Sequence, residues 1–261
     1  MNSVARKINR EGIVLLGWGR AILLQVAHPL VAAAIGDFSD FDQGAAGYLR
    51  RMHRTVGAML TLTFGTDADA RAVLERINHI HDQVEGTLRE TAGIFPAGTR
   101  YSARDPELLL WVHATLLDSL MLTYDLLVQP LTSTERDTFC AEAARTAVEL
   151  GVPAARVPAT GQALQRYFDG MLQDGSLVVT PTARAIADAL FAPPLGPARM
   201  PLGAVARLVT IGLLPEDVRT GYGFVWSARH ARVFNAVIGT MRRTRRVLPP
   251  MLREWRSARA V

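Results

Sequence analysis

Residues 105–128 read Asp105-Pro-Glu-Leu-Leu-Leu-Trp-Val-His-Ala-Thr-Leu-Leu-Asp-Ser-Leu-Met-Leu-Thr-Tyr-Asp-Leu-Leu-Val128. Apolar side chains point in nearly every helical direction, so the stretch predicts a helix buried all round rather than an amphipathic surface helix. Its start is chemically marked. Asp105 supplies a capping carboxylate, Pro106 sits where a missing N–H is harmless, and Glu107 places an acid in the first turn. A helix of this kind is expected at the centre of the fold, and with Ala and Leu dominant and strand alternation hard to find the chain is expected to be all-α.

The same 3.6-residue period recurs on both sides. Helices are predicted over residues 11–27, 29–35, 45–64 and 69–88, with Gly65 closing the third and Thr66 or Asp67 capping the fourth. Ser133 or Thr134 opens a helix that ends near Gly151, and Pro158-Ala-Thr160 introduces one that runs through Leu172. Segments 180–190, 200–213, 215–222 and 228–247 complete the set. Residues 37–43 and 93–102 read as loops. Ala192-Pro-Pro-Leu-Gly-Pro197 is a rigid connector that could be a domain boundary; a loop within one bundle is the simpler reading, and residues 1–261 are expected to form one helical domain.

Composition bounds the function. The chain is 49% hydrophobic and only 20% charged, with a net charge of +5, which describes a globular protein with a core and room for a membrane-facing patch. Lys7 is the only lysine. The arginines are scattered, and no nucleic-acid partner is expected. The exception is Arg242-Arg243-Thr-Arg245-Arg246. Its plain reading is a solvated helix face, its sharper one peripheral contact with acidic lipid headgroups, and nucleic acid comes third. A single cysteine, Cys140, excludes a disulfide framework, a zinc cluster or an iron–sulfur site within one chain. A haem thiolate is the formal alternative, but Cys140 lies in an amphipathic segment and reads as a small core or surface residue.

Residues 12–36 are the longest apolar run. Arg20 in its middle costs about 2.5–3.5 kcal/mol in a bilayer, which disfavours a spanning helix. The run is predicted to be a buried helix broken at His28-Pro29, with His28 bonding backbone freed at the break. A cytoplasmic protein is expected, with membrane association as the variant.

Leu74, Ile77, His81, Val84 and Leu88 fall at steps of three or four, on one helix face that is apolar except for His81. A neutral imidazole in such a wall can ligate haem or a metal ion. A core histidine satisfied by one hydrogen bond is the plainer reading of the residues alone.

Several motifs stand in a fixed order. They are Gln25-Val-Ala-His28-Pro29, Phe38-Ser-Asp-Phe41, Arg51-Met-His-Arg-Thr55, Thr63-Phe-Gly65, His81-Asp-Gln-Val-Glu-Gly86 and Tyr101-Ser-Ala-Arg-Asp-Pro-Glu-Leu-Leu-Leu-Trp111-Val-His113. Downstream come Leu150-Gly-Val-Pro153, Leu213-Leu-Pro-Glu-Asp-Val-Arg219 and Tyr222-Gly-Phe-Val-Trp226. In order and spacing the chain resembles the oxygenase family that includes the latex clearing proteins (rubber oxygenases) and the fungal membrane-bound MpaB-type oxygenases. Latex clearing proteins are all-helical b-type haem enzymes that cleave carbon–carbon double bonds of polyisoprene with dioxygen.

The resemblance implies haem b, with His81 as the axial iron ligand and the helices packed around a buried apolar pocket. It implies that Arg51 and Thr55, spaced i, i+4 on one helix face, stand beside the haem, where a guanidinium pairs with a propionate or orients oxygen. The best-known rubber oxygenase has a lysine just before the threonine that can occupy the distal iron position. Here the residue is Arg54, a poor iron ligand. The family places a candidate base near Asp37 or Asp40, where a capping aspartate is the plain reading. His113, on the apolar face with Leu109, Leu116 and Leu120, either faces the pocket or is a core histidine.

The function expected from the resemblance is a haem-dependent oxygenase acting with dioxygen on a small apolar, unsaturated, isoprenoid-like substrate. The alternative is a non-catalytic helical protein that binds haem or a lipid. A di-iron bundle needs Glu-x-x-His pairs on two helices, and Glu75-Arg-Ile-Asn-His79 has the wrong spacing.

Overall fold

The computed structural model describes residues 3–38, 44–192 and 200–259, with the side chains of residues 44–52 and 200–201 left out of the account. Helices dominate the described residues, and one two-stranded hairpin interrupts them. The chain begins with α1 (Val4–Asn9), a 3-10 segment over Gly12–Gly17, α2 (Trp18–Ala27) and α3 (Pro29–Phe38). After α4 (Gly44–Phe64) and α5 (Asp67–His81) comes the hairpin of β1 (Glu85–Thr87) and β2 (Arg100–Ser102). Then follow α6 (Pro106–Leu127), α7 (Ser133–Leu150), α8 (Gly161–Gln173), α9 (Pro181–Phe191), α10 (Met200–Leu213) and α11 (Glu216–Gly221). The C-terminal part consists of α12 (Ala228–Val247), α13 (Pro250–Arg253) and α14 (Arg256–Arg259).

The central helix is α6. The Asp105 side chain accepts from the Glu107 N–H and Pro106 occupies the first turn, as the cap chemistry predicts. Its residues Trp111, Ala114, Thr115 and Ser119 are fully buried. The segment over Gly12–Gly17 and α2 lie along it, while α7, α8 and α12 cover other parts of its surface. Gly17 permits the close approach, because a Cβ there would overlap the Thr123 hydroxyl.

Arg20 explains how an apolar run carries a charge. Its guanidinium is buried on α2, 2.6 Å from the Asp118 carboxylate of α6, and it donates to Ser119 Oγ at 2.7 Å and to the Leu213 carbonyl at 2.8 Å. A buried charge is tolerable only with such a full set of partners. No single described helix is long and apolar enough to cross a membrane. The apolar run is instead bent by 104° between Ala27 and Pro29.

Two expectations need correction. His28 does not bond the backbone freed at this break. The Ala27 carbonyl accepts the Val178 N–H at 2.8 Å, and the His28 ring packs against Phe95 with 5.0 Å between centroids. The predicted helix over residues 69–88 also stops early, at His81. Asp82 caps it through bonds to the Asn78 and Ile80 carbonyls, and Gly86 pairs with Tyr101 in the hairpin. Strand pairing satisfies backbone groups where glycine weakens the helix.

Candidate functional site

The α4–α5 pair is a helical hairpin turned at Gly65 and Thr66. Thr66 and Asp69 form a reciprocal capping box that starts α5. Arg51 lies 13 residues before Phe64 and His81 lies 14 after Asp67, so the two backbones stand at similar distances from the turn. The Arg51 side chain lies outside the described residues. Thr55, one turn on from Arg51, is exposed, as are His53 and Arg54.

His81 ends α5 and is half-buried. Burial, reinforced by the Arg104 cation, pushes its pKa below the ordinary imidazole value, with Asp82 opposing. Nδ1 is buried without a hydrogen-bond partner. The ring is therefore a neutral nitrogen donor not committed to the protein's own polar groups.

Arg104 fixes the helix end that carries this ring. Its Nε donates to Asp82 Oδ1 at 2.6 Å and its Nη1 to Asn78 Oδ1 at 2.6 Å, with the Leu150 carbonyl at 3.5 Å. Asn78 in turn donates to the Glu149 carbonyl at 3.1 Å. The end of α5 is thus tied to the end of α7. Leu109 of α6 packs with Ala147 and Val152 at that same end, and His113 is one turn further along α6. Burial alone pushes the His113 pKa down to about 4, and its Nε2 is buried without a partner.

The hairpin carries the rest of the signature. The Tyr101 hydroxyl donates to Asp37 Oδ2 at 2.6 Å, and Arg89 pairs with Asp37 Oδ1 at 2.9 Å. Asp37 thus fastens the end of α3 to the hairpin. A Cβ at Gly86 would overlap the Tyr101 hydroxyl. The glycine of the His81–Gly86 motif is where that side chain passes. Asp40 lies outside the described residues.

Residue types alone did not single out Arg104, Asn78, Tyr101 or Gly86 for these roles. Arg104 and Asn78 are 26 residues apart, and Tyr101 and Asp37 are 64 apart. The signal available for Arg104, Tyr101 and Gly86 was their inclusion in the motifs, and Asn78 had none. Among the described residues no three His, Cys, Asp or Glu side chains gather as a metal site. A porphyrin-held iron with one imidazole ligand needs no such cluster. Cys140 is fully buried in the core, and burial raises its thiol to about 11, which keeps it protonated.

The family model described as ER-bound oxygenase mpaB/B'/Rubber oxygenase, catalytic domain, matches residues 5–243. The chain belongs to this oxygenase family. The catalytic-domain match spans α1 through most of α12 and takes in both the α4–α5 hairpin and α6. Two curated relatives are the uncharacterized protein Mb2261 of Mycobacterium bovis and the uncharacterized protein Rv2237 of Mycobacterium tuberculosis. Each is 27% identical over 233 residues, covering 87% of this oxygenase-family chain and 87% of its own length. No solved structure matches the chain.

Proposed function

We propose that the protein is a haem-dependent oxygenase that uses dioxygen on a small apolar, unsaturated substrate. The observation that carries this reading is His81: a neutral imidazole at a helix end held by Arg104, with a buried Nδ1 bound to nothing. Such a ring fits the donor that a b-type haem requires. Family membership supplies the oxygenase class, and the chain's own residues supply the fit.

In this reading His81 would hold the haem iron, and haem when bound would supply oxygen chemistry that no side chain can provide. Arg104 and Asn78 orient the ligand helix by fixing its last turn. Arg51 brings a permanent positive charge to the neighbouring helix, suited to a propionate or to polarising oxygen. Thr55 adds a hydroxyl on the same helix, and His113 a neutral, buried nitrogen among leucines of α6. Asp37 is engaged by Tyr101 and Arg89, so its role in this reading is to hold α3 against the hairpin. The scarcity of charged residues favours an apolar substrate, and the resemblance to the rubber oxygenases implies one of isoprenoid type.

Visible absorption of the haem-supplied protein, followed by oxygen consumption with an isoprenoid alkene, tests the reading. A stoichiometric Soret band and alkene-dependent oxygen uptake are expected. A Soret band without uptake would favour the non-catalytic haem binder, and absence of the band would remove the haem reading.

A further inference from the structure

The positive charge of this chain is not spread over the fold. Residues 200–259 contain eleven arginines against three acids, while residues 1–199 carry eighteen basic and twenty-one acidic side chains. The C-terminal helices are therefore strongly basic on a body that is slightly acidic.

The same region exposes aliphatic side chains. Of the ten large hydrophobic residues exposed among the described ones, six lie here: Leu202, Val225, Val233, Val247, Met251 and Leu252. Val225 and Val247 are 79% and 81% exposed. A solvated basic face has no need of them.

The helix α12 joins the two features. It has twenty residues, six arginines, no acid and no buried side chain. Helical spacing puts Arg229, Arg232, Val233, Ala236, Thr240, Arg243 and Val247 on one stripe. That stripe contributes to an open groove of about 700 Å³ between α10 and α12, lined by Val205, Val233, Ala236, Val237 and Met241 together with Arg229 and Arg232. Arg245 is consumed by a pair with Glu11. Among the described residues Arg229, Arg232, Arg243 and Arg246 make no ion pair.

We infer that the outward face of α12, with α13 and the groove against α10, docks on the surface of a bilayer rich in anionic phospholipid. Unpaired guanidinium groups meet the headgroup phosphates, and Val247, Met251 and Leu252 enter the upper acyl region. Duplex nucleic acid would match the charge but would leave these aliphatic side chains in water. The inference does not rest on haem binding.

The test is flotation of the 261-residue chain with vesicles of phosphatidylglycerol and phosphatidylcholine, against phosphatidylcholine alone. Binding to the anionic vesicles that weakens with salt is expected. Arg229→Glu combined with Arg232→Glu and Arg243→Glu should lower the partition coefficient by about a hundredfold or more. Met251→Ser with Leu252→Ser, at two exposed positions, should lower it by about tenfold without changing the salt dependence. Thermal melts check that each variant folds, and His81→Ala should float like the wild type. Equal binding to neutral vesicles, no loss in either variant, or binding to duplex DNA without binding to vesicles would overturn the proposal.

Discussion

The Tyr101 hydroxyl reaches Asp37 across 2.6 Å and passes the Cα of Gly86 to do so. This contact fastens α3 to the hairpin that follows His81. Gly86→Ala is expected to push the hydroxyl aside and destabilise the fold by about 1–3 kcal/mol, the usual cost of forcing an extra methyl into a packed site. Tyr101→Phe keeps the ring and loses the bond, at about 1–2 kcal/mol. Urea denaturation measures both. Unchanged midpoints would show that the contact is incidental.

The Arg20–Asp118 pair carries the packing of α2 on α6. Asp118→Ala leaves a buried guanidinium with only neutral acceptors, and a loss of about 3–5 kcal/mol is expected. Thermal and urea unfolding should agree on a large drop. A loss below 1 kcal/mol would mean that water reaches Arg20.

Acid should unfold the haem-free protein through its imidazoles. Burial lowers His28 and His113 to about 4, while in the unfolded chain they return to their ordinary value near 6.5. Between these values the unfolded state binds more protons. Stability is therefore complete above about pH 6.5 and declines as pH falls toward 4, by about 3 kcal/mol for each group. His113→Leu should remove part of that slope in urea midpoints measured from pH 7 to pH 4. An unaltered slope would show that His113 titrates normally.

Arg104→Met should release the last turn of α5. The Arg104 cation lowers the His81 pKa, so removing it should raise that pKa in an NMR titration of the haem-free protein. The exposed pair with Asp82 contributes little by itself, and a stability loss of about 1 kcal/mol is expected from the arginine's bonds together. A His81 titration that does not move would show that Arg104 acts on the helix alone.

Much of this was legible in the chain. The cap at Asp105-Pro106-Glu107 and the apolar run behind it place α6, and His28-Pro29 marks the bend, because these signals are local. The end of α5 was not legible. Val84 and Leu88 keep helical spacing with Ile77 and His81, yet pairing of Gly86 with Tyr101 takes the segment into a hairpin, and periodicity cannot register that competition. The Arg104 clamp depends on partners 22 and 26 residues away. The arginine excess around α12 is legible in the chain, but the exposure of Val233, Val247, Met251 and Leu252 beside it emerges only in the fold.

The role proposed for His81 is to hold haem iron. The most direct measurement is a haem titration of the haem-free protein, read at the Soret band, for wild type and His81→Ala, with circular dichroism confirming that both are folded. The expected result is a one-to-one endpoint with a histidine-ligated spectrum in the wild type and no such band in the variant. A variant that keeps the wild-type Soret band and the same axial signature would contradict the claim and leave His113 as the imidazole to test.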